Sequence, residues 1–131
     1  MFSNGKYIEK FKAGNVLNVN ESITSPNRRY RLILSSNGIL YLNKESKEKS
    51  IWNSGNGSQG NDKPYECVMK NAGYLAINNS DLSKPIWISD YSTMGIRGEH
   101  PGAFLRVQDD GNVVLYDSQG KNALWSTGTD E

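Results

Sequence analysis

Apolar and polar residues alternate over short stretches of this chain, and glycine and asparagine interrupt the stretches at close intervals. A period of two is typical of a β-strand with one buried face, and the helical spacing of apolar residues is absent almost everywhere. The pattern therefore predicts an all-β fold of many short strands joined by turns.

Three segments repeat one pattern around a glycine and a tryptophan. Each tryptophan lies 14 residues after a glycine, and both residue types recur at spacings of 35 and 38. The pairs are Gly38 and Trp52, Gly73 and Trp87, and Gly111 and Trp125. Such a period indicates one structural unit present three times. We expect a single domain, residues 1–131, with internal repeats at roughly 30–55, 65–90 and 103–128.

Three positions at even offsets from these glycines, −4, +2 and +4, are apolar in all three repeats. They are Leu34, Leu40, Leu42, Met69, Leu75, Ile77, Val107, Val113 and Leu115. Alternate side chains of a strand face opposite sides, so these residues predict the inward face of three equivalent hairpins. One hairpin cannot bury its apolar side alone, so the three should pack around a common axis, with the tryptophans filling the interior. A β-trefoil is the competing three-fold fold, but the Gln-x-Trp element of lectin-type trefoils is missing.

Composition and charge restrict the partners of the chain. The formal net charge is +1, which gives no reason to expect a nucleic acid. No stretch approaches the roughly 20 apolar residues of a membrane span, so membrane insertion is not expected. We find no secretory signal, which favours a cytoplasmic or non-classically secreted protein. The single cysteine, Cys67, is expected to be a buried free thiol, and alone it can build neither a disulfide nor a zinc site.

Polar residues form a row at the outward positions of the third repeat. At odd offsets from Gly111 this repeat carries Gln108, Asp110, Asn112, Val114 and Tyr116. Two residues along a strand span about 6.6–6.8 Å, so a carboxylate, two amides and a phenol would form a shallow row around one apolar patch. A sugar hydroxyl can donate to the carboxylate and accept from an amide, while a ring face lies on the valine. The row therefore predicts binding of a small polyol.

The same row completes a known motif. Residues 108–116 read QDDGNVVLY and match QxDxNxVxY in full, so the chain resembles the bulb-type (snowdrop-lectin-like, monocot) mannose-binding lectins. The likeness also covers the repeats and their tryptophans, from about residue 12 to 129. It implies a β-prism II fold, with three four-stranded antiparallel sheets and pseudo-three-fold symmetry.

The resemblance also implies a function, namely metal-independent binding of mannose-containing glycans without a cofactor. By this likeness Gln108, Asp110 and Asn112 hold the 2- and 3-hydroxyl region, Tyr116 the 4-hydroxyl, and Val114 the ring carbons. Family members often form homodimers by exchanging the C-terminal strand, here residues 122–129. Many members carry a disulfide in the first subdomain, which a lone cysteine rules out here.

The first two repeats depart from the motif. Their equivalent positions are Ser35, Asn37, Ile39, Tyr41 and Asn43, and Lys70, Ala72, Tyr74, Ala76 and Asn78. Ile39 and Tyr74 place bulk where the motif has an amide, and Ala72 lacks the acceptor. We therefore predict that only the third repeat binds mannose.

Two other functional classes are alternatives to a lectin. The first is a sugar-inert protein-interaction module on the same fold, such as a cytoskeletal linker or a bacteriocin-like protein. The second is an enzyme, which is not expected, because Asp109 and Asp110 are adjacent and would face opposite sides of a strand. The only histidine, His100, belongs to no constellation of nucleophile or metal ligands in the sequence and is interpreted as a loop residue.

Overall fold

The chain forms short strands almost throughout. The computed structural model describes residues 5–47, 49–57, 60, 64–79, 84–91 and 98–131. Its strands are β1 (Gly5–Tyr7), β2 (Phe11–Lys12), β3 (Val16–Asn18), β4 (Ser22–Thr24), β5 (Tyr30–Leu34), β6 (Leu40–Lys44), β7 (Lys49–Asn53), β8 (Tyr65–Met69), β9 (Leu75–Asn79), β10 (Trp87–Ile88), β11 (Phe104–Val107), β12 (Val113–Tyr116) and β13 (Ala123–Ser126). A 3-10 turn, Glu45–Lys47, lies between β6 and β7. In the described part of the chain no helix has the length and apolar character needed to cross a membrane.

The strands form three sheets, as the sequence predicts. Their orders are β1-β4-β5-β6-β7, β3-β8-β9-β10 and β2-β11-β12-β13. Each repeat supplies three consecutive antiparallel strands of one sheet. The N-terminal segment supplies the fourth strand of every sheet, because β2, β3 and β4 pair in turn with the third, second and first repeat. This segment therefore ties the three repeats together.

The first sheet carries one strand more than expected. β1 adds to the outer side of β4 in parallel orientation, with Gly5, Lys6 and Tyr7 opposite Ser22, Ile23 and Thr24. Parallel neighbours need a crossover connection, and here β2 and β3, which belong to the other sheets, form that connection. The predicted three-sheet architecture is confirmed, with this fifth strand as an addition.

The core lies on the axis between the sheets. All nine residues predicted to face inward are buried, with at most 3% of each exposed. Phe11, Leu17 and Ile23 extend this face, one from each N-terminal strand. Cys67 is also buried as a free thiol, and its removal from water raises the thiol pKa to about 12.

The three tryptophans meet one another at the common axis. Trp52, Trp87 and Trp125 lie on the last strand of their repeats, directly opposite Leu42, Ile77 and Leu115. Their ring centroids are 5.7–5.9 Å apart in all three pairs, at interplanar angles of 69–73°. Edge-to-face contact is a preferred geometry of aromatic pairs. The tryptophans therefore close the shared interior, as predicted, and each touches both of the others.

Hydrogen bonds around the hairpin turns repeat with the same symmetry. After each turn glycine, a strand amide donates to a hydroxyl from the last strand's end, at 2.9–3.1 Å: Leu40 to Ser54, Leu75 to Ser89, and Val113 to Thr127. The carbonyl of each glycine accepts from the side chain 18 residues later, at 2.6–3.1 Å: Gly38 from Asn56, Gly73 from Tyr91, and Gly111 from Thr129. Each turn is thus fixed to the end of its own repeat.

Two of the three turn glycines also pack against a tyrosine ring from another part of the chain. A Cβ on Gly38 would lie 2.9 Å from the ring of Tyr65, and one on Gly111 would lie 2.9 Å from the ring of Tyr30. Tyr30 and Tyr65 begin the first strand of their repeats, but the equivalent residue of the third repeat is Ala103.

His100 takes the place that the missing tyrosine leaves. A Cβ on Gly73 would lie 2.3 Å from the His100 carbonyl oxygen, and the His100 amide donates to Ala72 at 2.8 Å. The His100 ring meets Tyr91 edge-to-face at 5.7 Å. His100 lies in the connection that makes the second spacing three residues longer, and its contacts replace those that a tyrosine at position 103 would make. Residues 92–97 of that segment lie outside the described residues.

The C-terminal residue links the third repeat to the first. The Glu131 carboxylate accepts from the Tyr30 hydroxyl at 2.6 Å and from the Lys44 ammonium at 2.5 Å. Hydrogen bonds from Lys44 and then from Tyr30 hold the pKa of Glu131 below its ordinary value of 4.5. The same contact raises the pKa of Tyr30.

We predict that Gly73→Ala lowers the free energy of unfolding by about 3 kcal/mol or more, because a left-handed backbone at φ +102 and a steric clash act together. Gly55→Ala is the matched control, since its φ is +75 but no atom lies within 4 Å of an added Cβ. It should cost only about 1–2 kcal/mol. Urea unfolding of both variants provides the measurement, and equal losses would contradict the packing role of Gly73.

A second prediction concerns the acid stability that Glu131 contributes. A carboxyl whose pKa is lowered by folding stabilises the protein above its unfolded pKa, here near 4.5, and this contribution disappears as the pH falls through the folded pKa. Glu131→Gln should therefore lower the urea midpoint at pH 7, and its difference from the unmodified protein should shrink at pH 3. Asp130→Asn, an equal charge change at an exposed neighbour, should show no such convergence. A gap for Glu131→Gln that is constant with pH would refute the linkage.

Candidate functional site

The five predicted residues lie where β11 turns into β12. Val114 and Tyr116 are on β12, whereas Gln108, Asp110 and Asn112 belong to the connecting turn and not to a strand. The Gly111 amide donates to the Gln108 carbonyl at 3.1 Å, and the Gln108 amide donates to the Asn112 carbonyl at 2.9 Å. The expected row with a strand spacing is therefore wrong for residues 108–112. The reason is physical, because a turn with a glycine at φ +91 brings both ends of the segment together.

Asp110 is the centre of the resulting cluster. Its Oδ1 accepts from the Asn112 backbone amide at 2.9 Å and from Gln108 Nε2 at 3.2 Å. Its Oδ2 accepts from the same Gln108 nitrogen at 3.3 Å. An ionised carboxylate offers about four lone-pair positions, so Asp110 keeps capacity for a further donor. The side chain is exposed and held in place by its neighbours.

Asn112 is oriented by the end of its own repeat. Its Oδ1 accepts from the Thr127 hydroxyl at 3.1 Å, from the Gly128 amide at 3.0 Å and from the Thr129 amide at 3.3 Å. Three donors around one oxygen fix the rotation of the amide group. Its NH2 group meets no acceptor among the described residues, and so two donors are available to a ligand.

Tyr116 and Val114 complete the site in different ways. The Tyr116 hydroxyl donates to Oε1 of Gln108, which connects β12 to the turn. The Tyr116 ring lies against the Phe104 ring, with centroids 5.6 Å apart. Val114 lies on the same outer face but is only 4% exposed. The structure thus joins four of the five predicted residues by hydrogen bonds and leaves Val114 as a nearly buried floor.

The predicted site omitted two sets of residues. Residues 127–129 orient Asn112, and no local sequence pattern connects positions 15–17 residues apart. Arg106 lies on β11 directly opposite Val114, with its guanidinium 5.9 Å from the Tyr116 ring centroid. The alternation that selects Gln108 also selects Arg106, since both are at odd offsets from Gly111. That signal could have identified Arg106.

The other two repeats form no comparable cluster. In the first, the Ser35 hydroxyl bonds to Asn37 and donates to the Ile39 carbonyl at 2.8 Å, and Ile39 is 8% exposed. In the second, Ala76 stands where the third repeat has Val114 and is fully buried. Ile39 thus replaces the amide of Asn112 in the first repeat, and in the second Ala72 and Tyr74 replace Asp110 and Asn112.

The arrangement offers hydrogen bonds to neutral hydroxyl groups. Acceptor capacity remains on Asp110 and on the Tyr116 oxygen, and donor capacity remains on Asn112 and Gln108. Asp109 does not join Asp110, because its carboxylate accepts from the Asn27 amide at 2.8 Å. Within the described ranges, no group of three or more His, Cys, Asp or Glu side chains is arranged to hold a metal ion.

Solved structures share this architecture over nearly the whole chain. A monomeric monocot mannose-binding lectin of Gastrodia elata is 26% identical, with a TM-score of 0.75 over 95% of this chain and 100% of that one. The snowdrop (Galanthus nivalis) agglutinin, solved with methyl-α-D-mannoside, is 26% identical, with a TM-score of 0.66 over 95% and 99%. A lectin of Marasmius oreades is 20% identical, with a TM-score of 0.72 over 97% of each chain, and it supports the fold alone.

No family model and no curated protein sequence matches the chain. The structural matches nonetheless include several monocot lectins that cover 88–95% of this chain. The predicted resemblance to the bulb-type (snowdrop-lectin-like) mannose-binding lectins is confirmed, and the chain has the β-prism II fold of that family.

Proposed function

We propose that this protein is a metal-independent, non-catalytic lectin that binds mannose-containing glycans at the turn of its third repeat. The site comprises Gln108, Asp110, Asn112, Val114 and Tyr116. The observation that carries the proposal is the preorganised cluster around Asp110, in which internal hydrogen bonds fix the side chains and leave donors and acceptors for a ligand.

The remaining donors and acceptors suit a pair of adjacent sugar hydroxyls. One hydroxyl donates to the carboxylate of Asp110 and accepts from the amide of Asn112. A second donates to the Tyr116 oxygen, whose own proton already points to Gln108. Each hydroxyl of a sugar can donate one hydrogen bond and accept another at the same time. A cluster that offers both donors and acceptors therefore favours a pair of adjacent hydroxyl groups. These groups bind without a reaction, since they include no activated nucleophile.

The structural neighbours support mannose as the sugar. The snowdrop agglutinin, 26% identical to this chain, was solved in complex with methyl-α-D-mannoside. The Gastrodia lectin, which has the higher TM-score, is likewise described as mannose-binding. A sugar-inert interaction module is not favoured, because the full set of motif side chains is present and held together by hydrogen bonds.

One shallow site of this kind binds weakly. A dissociation constant of about 1 mM corresponds to about −4.1 kcal/mol, which a few net hydrogen bonds of about 0.5–3 kcal/mol supply after desolvation. Tight binding to a glycan surface would then require several chains acting together. In the structure β13 pairs with β12 of the same chain, so the site is complete within one chain. Dimerisation by exchange of residues 122–129 stays a prediction.

Calorimetric titration with methyl α-D-mannoside tests the site. We expect a dissociation constant near 1 mM. Asp110→Ala should weaken binding at least tenfold, since hydrogen bonds to charged groups are worth about 1.5–3 kcal/mol, and Asn112→Ala should weaken it by up to about tenfold, since a neutral hydrogen bond is worth about 0.5–1.5 kcal/mol. Asn37→Ala is the matched control, because Asn37 occupies in the first repeat the position of Asp110. It should bind as the unmodified protein does.

Two results would overturn this assignment. Binding that survives both Asp110→Ala and Asn112→Ala would place the sugar elsewhere on the protein. Loss of binding in Asn37→Ala alone would move the site to the first repeat. Each variant is first checked by urea unfolding, so that loss of folded protein is not counted as loss of binding.

A further inference from the structure

Beside the candidate sugar site, three cationic side chains gather on the outer face of the third sheet. We propose that Arg106, with Lys10 and Lys12, binds a negatively charged substituent on the sugar, such as a phosphate or a carboxylate. The preferred ligand is then an anionic mannoside and not a neutral one. This inference rests on the proposed function and names its ligand class.

The ring of Phe104 brings Lys10 and Arg106 together, and Lys12 lies on the neighbouring strand. Lys12 on β2 lies directly opposite Phe104 on β11. The Lys10 ammonium is 4.9 Å from the Phe104 ring centroid, and the Arg106 guanidinium is 5.4 Å from the same centroid. Two positive charges thus approach one aromatic ring, one from the residue before β2 and one from β11, and attraction to the ring holds them there.

No carboxylate neutralises this cluster within the part of the chain that the structure describes. The ion pairs there join Arg31 with Glu45 and Lys44 with Glu131, and both belong to other contacts. Glu9 is the nearest acidic residue in sequence, yet it offers Arg106 its backbone carbonyl, which accepts from Nε at 3.2 Å. The two terminal nitrogens of the guanidinium are left to bind an anion, for which their planar geometry is suited.

Arg106 is continuous with the sugar site. It precedes Gln108 by two residues and lies opposite Val114, a pairing that places the Cβ atoms about 4.5–5.5 Å apart. Its guanidinium also lies 5.9 Å from the ring of Tyr116. A sugar on the Val114 floor with one hydroxyl on Tyr116 would direct a neighbouring substituent toward the guanidinium. The cations are therefore within reach of the sugar's own substituents.

Calorimetry with three ligands tests the proposal. The probes are methyl α-D-mannoside, mannose 6-phosphate and the methyl glycoside of mannuronic acid, so that the phosphate and carboxylate sources are measured separately. We expect at least one anionic probe to bind about tenfold more tightly than the neutral one at low salt, and the advantage to shrink as salt is added. Inorganic phosphate alone should bind far more weakly than the phosphorylated sugar.

Each variant is characterised by a ratio of two dissociation constants, that of the neutral probe divided by that of the anionic probe. Arg106→Gln should bring the ratio from about ten to about one, and Arg106→Lys should keep an intermediate value. Lys49→Gln on β7 is the matched control, because it removes one exposed positive charge from the first sheet. Its ratio should equal that of the unmodified protein, which separates a local contact from the effect of net charge.

The outcomes separate this inference from the function on which it rests. Equal binding of the neutral and both anionic probes would overturn the inference and leave the sugar site intact. The same follows if Arg106→Gln keeps the full ratio, or if inorganic phosphate binds as tightly as the phosphorylated sugar. Absence of binding by all three mannosides would instead overturn the proposed function itself.

Discussion

Three hairpins of this chain have apolar faces that none can bury alone, and all other features depend on how they close around one axis. The tryptophans show the constraint most directly, since each ring contacts the other two at 5.7–5.9 Å. Shortening or shifting one repeat would break two of these three contacts. The N-terminal segment reinforces the closure, because it adds one strand to every sheet and buries Phe11, Leu17 and Ile23.

Closure also explains the departures from symmetry. Two turn glycines pack against tyrosines, and where Ala103 interrupts the series, His100 and Tyr91 reach the turn of Gly73 by another route. His100, in the longer connection before the third repeat, is therefore part of the packing, although its sequence context indicates only a loop residue. His100 thus compensates beside Gly73 for the tyrosine that the third repeat lacks at position 103. The interior thus keeps its geometry while the residues that achieve it change.

Period-two alternation predicts the nine inward residues because it reflects burial on one side of a strand. It does not predict β2, β3 and β4, since strands of two or three residues are too short to show a period. Alternation also led to the wrong expectation that residues 108–112 continue a strand. A pattern of apolar and polar positions does not show where the chain turns and brings Gln108 and Asn112 together. The partners of Asn112 lie 15–17 residues away, beyond any local pattern.

These constraints act differently on the inward and outward faces of each sheet. Inward positions and the turn hydrogen bonds are shared by all repeats, so a substitution there affects the common axis. Packing around the axis does not restrict the outward positions. Asp110 and Asn112 of the third repeat can therefore differ from Asn37 and Ile39, their equivalents in the first. Even so, the site uses the shared scaffold, because Thr127 and Thr129 hold their own turn and also reach Asn112. A polar cluster can therefore be rigid on an outer face, since the contacts that orient it already stabilise the fold.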